Sequence, residues 1–369
     1  MPKPIGMATM VAEVASGQVR HESLGIKFMA MRINGWWRAG MPGAGVVCAV
    51  ALLLGAEALL HSDVFMHRLR SVFAVGRAYD KVLYVEQQAP RMLVLGNSRV
   101  DNAIDPRTLG AAFAAGRGGF NLGLPGANAS ALLGIAHRFD ERGLFGRGKV
   151  ERVLIGLDES LLHAGDALGY DVFFGQPDIW EEGAQAYLRS TLRLWGYADN
   201  LKQLREPAKL IQFATALTEE VEPVGGGAAE RLGYRPGFGD NQDAGQVARQ
   251  EAGSTHPPDP KVVADFWSLL DLLERRQVSV VVVFPPLLNR RVLYLEGAHP
   301  ASSPYLALRR ELLARGVPMF ALSADLKLPP EGFVNAGHLN DLGAQYFSRA
   351  LGRALSGGTH GEVERVGAL

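Results

Sequence analysis

The sequence predicts an α/β protein built on a five-stranded parallel sheet covered by helices on both faces, preceded by one apolar helix. Three observations carry this reading. Short apolar runs without polar alternation recur along the chain, as in strands buried on both faces. Segments with helical spacing separate them, as crossover helices separate parallel strands. One long apolar run, residues 41–60, stands apart near the start.

Taken in order, the expected strands are Met92–Leu95, Phe120–Leu124, Arg152–Leu157, Val278–Phe284 and Pro318–Leu322. The fourth, Val-Ser-Val-Val-Val-Val-Phe, is β-branched and uninterrupted, and is the clearest. Helices are expected over an amphipathic linker from Val64 to Val85, a short segment starting near Asp105-Pro106, and Ala127–Arg142. Further helices are expected at Pro260–Arg275, Pro304–Arg315 and Asp341–Leu355. Between the third and fourth strands lies a long insertion. Its first part, Glu181–Leu217, reads as helical, and Val221–Lys261, rich in Gly, Pro and polar residues, reads as loop. The expected organisation is an N-terminal cytoplasmic segment 1–40, a transmembrane helix 41–60 and a linker helix 61–90. An α/β domain follows in two parts, 91–158 and 261–356, split by a capping insertion 159–260, with a disordered tail 357–369.

Composition narrows the function. Lys+Arg and Asp+Glu both number 38, so formal charge is zero, which argues against a nucleic-acid partner. The single cysteine, Cys48, permits no intrachain disulfide, and no Cys/His spacing suggests a metal. No glycine-rich phosphate-binding fingerprint occurs, and no cofactor is implied.

Residues 41–60 have the length of a membrane span, and Trp36 and Trp37 stand where an interfacial aromatic belt would lie. A cleaved signal ending near Ala56-Glu-Ala58, with translation from Met29 or Met31, is the competing reading. A buried helix of a soluble protein is the third. Basic residues flank both sides, so charge gives almost no orientation.

In open parallel sheets, ligands bind beyond the carboxyl ends of the strands. The first strand runs into Gly96-Asn97-Ser98-Arg99, a turn that would present the Ser98 hydroxyl outward. A serine is a poor nucleophile unless a base takes its proton. His338, before the last expected helix, is the candidate base, and Asn335 three residues earlier can orient its ring. Either residue alone also reads as a capping or loop side chain. His256 and His299 lie in Pro-rich loops and are weaker candidates.

The strand followed by Gly-Asn-Ser, the five alternating strands, and Asn335-Ala-Gly-His338-Leu-Asn340 together resemble the SGNH (GDSL-like) hydrolase family, over about residues 91–354 apart from the insertion. The resemblance implies a flavodoxin-like three-layer α/β/α fold, Ser98 as nucleophile and His338 as general base. Asn121-Leu-Gly-Leu-Pro-Gly-Ala-Asn128 stands at the second family block, so Gly123 or Gly126 would join Ser98 in an oxyanion hole. Two departures matter. The family's last block carries Asp where this chain has Asn335, which removes a charge and threatens the tautomer. Its third block, Gly-x-Asn, is replaced by Gly156-Leu-Asp158, whose carboxylate at a substrate-binding position would repel an oxyanion. Asn128 is the candidate for the missing amide donor, and Asp325 or Asp341 for the missing carboxylate. Arg99 reads as a contact for an anionic substrate or as a salt-bridged loop arginine.

With an N-terminal anchor, the chain is similar to a subgroup outside the bacterial inner membrane. Those proteins are single-pass, with a periplasmic domain acting on O-acyl groups of cell-surface or exported polysaccharide. The implied activity is that of a serine esterase or acyltransferase, with a membrane-bound O-acyltransferase as possible partner and acyl donor. The alternative is an inactive member that scaffolds an export complex or binds glycan.

Overall fold

The computed structural model describes residues 43–62, 76–110, 118–164, 170, 174, 183–195, 205–218, 229–237, 243–252, 256–288, 304–322 and 326–356. The chain divides into two compact units between Ala56 and Glu57. In chain order the elements begin with α1 (Ala44–Leu60), α2 (Gly76–Gln88), β1 (Met92–Gly96), α3 (Ser98–Ala103) and β2 (Gly119–Gly123). Next come α4 (Ala129–Glu141), β3 (Arg152–Gly156), α5 (Ala184–Thr191), α6 (Pro207–Thr218), α7 (Ala244–Val247) and α8 (Pro260–Arg275). The chain ends with β4 (Ser279–Val283), α9 (Pro304–Ala314), β5 (Met319–Phe320), β6 (Phe333–Asn335), β7 (His338–Leu339) and α10 (Asp341–Leu355).

Strands β1 to β5 form one parallel sheet in the order 2-1-3-4-5. Alternate residues of each strand enter two separate cores. Leu93, Leu95, Val153, Ile155 and Val282 pack with α2, α4, α8 and α9 on one face. Val94, Leu154, Val281 and Val283 pack with α3 and α10 on the other. The result is the expected three-layer α/β arrangement with a five-stranded parallel sheet.

Helix starts follow local chemistry. Asp259 caps α8, accepting from the Lys261 and Val262 amides, with Pro260 at the first helical position. Asn340 caps α10 through the Gly343 amide. Three expectations need correction. Residues 105–108 form a turn, closed by Thr108 N–H to Asp105 C=O at 3.0 Å, and not the start of a helix; residues 111–117 lie outside the described residues. The helical reading of 181–217 is interrupted: α5 ends at Thr191, where Leu192 turns to extended backbone, and α6 begins afresh at Pro207. His338 lies not in a loop but on β7, paired with Asn335 of β6 in a two-stranded hairpin.

The insertion is partly stitched into the body. Asn121 N–H reaches Leu232 C=O at 2.8 Å, and Arg235 N–H reaches Asp101 C=O at 3.0 Å. The first half of the expected linker helix, residues 63–75, and the tail 357–369 lie outside the described residues, as do residues 1–42. Helix α1 covers 17 residues, about 25 Å at ~1.5 Å per residue, against the ~30 Å of a hydrocarbon core. Among the described residues, no helix is long and apolar enough to cross a membrane.

Register positions the site. Gly96 pairs with Gly123 on one side, and Gly156 pairs with Val283, so β1 to β4 end level with one another. Val100 of α3 then lies across two strand ends. A Cβ at Gly96 would come within 2.3 Å of Val100 Cγ2, and one at Gly156 within 2.0 Å. Only glycine lets the serine helix sit this low. A buried ion pair braces the same helix. Lys81 Nζ, fully buried, donates to Asp101 Oδ1 and to Gly123 C=O, both at 2.7 Å. Burial draws the Lys81 pKa down to about 8 against the pull of Asp101. Removing one partner leaves the other charge buried, a loss of about 3 kcal/mol or more. Lys81→Met is therefore expected to lower unfolding stability by about that amount in urea titration. The double variant with Asp101→Asn is expected to recover part of it.

Candidate functional site

The site lies where the strand order reverses, between β1 and β3, the usual crevice of such sheets. β1 delivers Asn97 and Ser98. Asn97 is in extended conformation and caps α3, its Oδ1 accepting the Arg99 amide at 2.9 Å. Its Nδ2 donates to Asp158 Oδ2 and Ser160 Oγ, both at 2.9 Å. Both amide hydrogens are thereby used, and the serine turn is tied to the turn after β3.

The histidine arrives from the other end of the chain. The β6–β7 hairpin is held by Leu288 N–H to Ala336 C=O at 2.8 Å, from the loop after β4. Gln250 of the insertion adds Oε1, which accepts the Ala336 amide at 3.1 Å. His338 Nε2 then lies 2.9 Å from Ser98 Oγ, across 240 residues of sequence.

Asn335 decides the ring's tautomer. Its Oδ1 accepts the Gly337 amide at 2.9 Å and lies 3.0 Å from His338 Nδ1. Because a backbone N–H points at this atom, it must be the oxygen and not the amide nitrogen. Nδ1 therefore carries the ring proton, and Nε2 presents its lone pair to the Ser98 hydroxyl. The wrong-tautomer hazard of an asparagine here is removed by one backbone bond. Burial and the Arg99 guanidinium push the His338 pKa below the ordinary histidine value, with Asp158 and Asp101 opposing.

The other expected site residues are placed as follows. Asp158 is buried (3% exposed) and caps the turn after β3 through the Ser160 and Leu161 amides. Burial alone would raise its pKa, but Arg99, Ser160, Asn97 and Leu161 outweigh it and hold it low. In this position it braces the serine turn against the turn after β3. Arg99 pairs with it at 3.3 Å and is largely buried, matching the salt-bridged reading. Gly123 N–H is donated to Asn121 Oδ1 at 2.7 Å, so this amide is already taken. Gly126, at φ +70°, follows Pro125 in a turn closed by Ala127 N–H to Leu124 C=O, where glycine suits the positive angle. Asn128 Oδ1 caps α4 through the Ala131 amide, and its Nδ2 makes one long bond of 3.3 Å to His163 C=O. Among the described residues, the second hydrogen of that Nδ2 meets no acceptor. Asp341 receives the Tyr234 hydroxyl, and Asp325 lies outside the described residues.

Sequence reasoning missed Lys81, Asp101 and Gln250, and read Asn97 only as a residue of the serine turn, without its bonds to Asp158 and Ser160. None has a spacing that marks it, since each acts through a partner distant in the chain. Among the described residues, no cluster of His, Cys, Asp and Glu could hold a metal ion. In comparison with known proteins, no protein-family model matches this chain and no curated protein matches it.

Proposed function

We propose that the protein is a serine esterase or acyltransferase acting on O-acyl, chiefly acetyl, groups of cell-surface or exported polysaccharide. The observation that carries this reading is the chain of contacts Ser98 Oγ, His338 Nε2, His338 Nδ1 and Asn335 Oδ1, at 2.9 and 3.0 Å. The 2-1-3-4-5 sheet order, shared with flavodoxin-like folds, supports the resemblance to SGNH hydrolases.

In this mechanism Ser98 Oγ attacks the ester carbonyl carbon while His338 Nε2 takes the hydroxyl proton. The oxyanion is met by the Ser98 amide, which stands at the first position of α3 with no carbonyl of its own helix to receive it. The spare Asn128 hydrogen is the second donor. His338 then protonates the departing sugar oxygen, leaving an acyl-Ser98 ester. Water ends the cycle as hydrolysis, and a sugar hydroxyl ends it as transfer. We further infer that residues 41–60 anchor the chain in the bacterial inner membrane with the α/β body on the periplasmic side. A membrane-bound O-acyltransferase is the corresponding partner.

A second reading, an inactive glycan-binding or scaffolding member, has one observation in its favour. The carboxylate expected behind the histidine is an amide, and among the described residues no charged group is hydrogen-bonded to Nδ1 to stabilise imidazolium. Covalent labelling of Ser98 by a fluorophosphonate decides between the two. Labelling is expected, and its absence with retained polysaccharide binding would establish the second reading.

Three outcomes are expected with p-nitrophenyl acetate. Ser98→Ala and His338→Ala each lower kcat/KM by about 10³-fold or more, and the double variant is no worse than either, because the pair acts as a unit. Asn335→Asp keeps the acceptor and adds the charge, so kcat/KM rises about tenfold, one pKa unit of extra imidazolium stabilisation. The third concerns pH. His338 works as the neutral base, and its pKa lies below the ordinary histidine value of about 6.5. Activity therefore persists below that pH and falls only as pH drops through the lowered value. Arg99→Met removes a repelling cation and is expected to move the acid limb of the kcat/KM profile upward.

A further inference from the structure

Two groups of apolar side chains stand exposed, one on α1 and one in the insertion. The first belongs to α1. Val46, Val47, Leu52 and Leu53 are all more than half exposed, and at about 100° per residue they point to different sides of the helix. A protein groove covers one stripe of a helix. An apolar surrounding on every side is what lipid supplies. The second group lies in the insertion, where Tyr187, Leu188, Leu192 and Trp195 are exposed while Leu194, between the last two, packs against the main core.

Polar contacts tie the second group to the last turn of α1. The Glu57 carboxylate accepts the Arg193 amide at 2.6 Å and the Leu194 amide at 3.1 Å. Arg193 Nη1 donates to Leu60 C=O at 3.0 Å, and His61 Nε2 meets Thr191 C=O at 3.2 Å. This is the turn at which the apolar run stops and Glu57, His61 and Ser62 begin. If α1 lies in a bilayer, the water–lipid boundary falls here. Segment 187–195 is thus strapped to that boundary with a tryptophan, a tyrosine and two leucines outward, the composition of an interfacial belt.

We propose that segment 187–195 is a lipid-surface contact. Tyr187, Leu188, Leu192 and Trp195 enter the headgroup region of a phospholipid bilayer and hold the α/β body against it. The proposal rests on the membrane reading of 41–60. Its occupant is phospholipid, not a protein, because the segment is bound to the end of a helix that is apolar all round.

The test uses the full chain with Cys48→Ser and one added cysteine at a time, carrying a polarity-sensitive fluorophore, in nanodiscs of phosphatidylcholine and phosphatidylglycerol. The sites are Leu192→Cys and Tyr187→Cys on the segment, Leu52→Cys on α1, and Glu274→Cys on the exposed side of α8 as control. Nitroxides are placed on the lipid either near the headgroup or near the acyl terminus. The segment probes are expected to be blue-shifted and quenched about twofold more by the shallow nitroxide than by the deep one, consistent with insertion of roughly 5–10 Å. The Leu52 probe should be quenched by the deep nitroxide, and the Glu274 probe by neither. If Leu52 is quenched while both segment probes report water, the lipid-contact proposal is overturned and the anchor stands. Blue-shifted segment probes without quenching would mean that a second copy or another protein covers the segment, and would also overturn it. An unquenched Leu52 probe removes the anchor, and the proposal with it.

Discussion

The level ends of the strands are the constraint on which the rest of this molecule depends. β1, β2, β3 and β4 stop in register, so the turns after them open on one rim. From that follow the contact of Asn97 with Asp158, the brace of Lys81 against Gly123, and the seat for the hairpin carrying His338. A slip of one residue in any pairing would turn alternate side chains from one core to the other. It would also move Ser98 about 3.3 Å along the sheet, more than the length of its bond to the imidazole.

Within that frame, the hairpin solves a problem of reach. His338 must come to the carboxyl edge of β1 although it precedes the helix that returns along the opposite face. Two residues of antiparallel strand, fastened by Leu288 and Gln250, hold it there more rigidly than an open loop would. The same hairpin sets the Asn335 amide, because Gly337 N–H and His338 Nδ1 share one oxygen. Orientation and tautomer come from backbone geometry. What an aspartate would add is charge alone.

Much of this architecture was legible in the sequence. Buried parallel strands announce themselves by unbroken Val, Leu and Ile, and every expected strand lies within two residues of its observed ends. Helices with a capping side chain, such as those after Asp259 and Asn340, began where expected. Ser98 and His338 stood out because a turn serine and a pre-helix histidine have recognisable neighbours. The hairpin did not, since strands of three and two residues have no period to detect. Lys81 read as one more polar residue of an amphipathic helix. Only the fold reveals that it is buried against Asp101. Asp158 read as a hostile charge at the site, whereas the structure neutralises it with Arg99 and four hydrogen bonds from Asn97, Ser160 and Leu161.

The exchange of Asp for Asn behind the histidine gains a different meaning once Asp158 is placed. A carboxylate at position 335 would hold a proton on the imidazole and raise its pKa. Here the buried Asp158 is spent on Arg99 and the serine turn, while burial and the Arg99 guanidinium disfavour imidazolium. In the proposed mechanism the base is therefore weaker than an ordinary histidine and stays unprotonated to lower pH. A weak base suits a step in which the alkoxide leaving group is itself a good acceptor and the acyl group is small. In the proposed mechanism the same base would serve water and a sugar hydroxyl alike, so base strength does not choose between them and the choice falls to whichever acceptor binding holds beside acyl-Ser98.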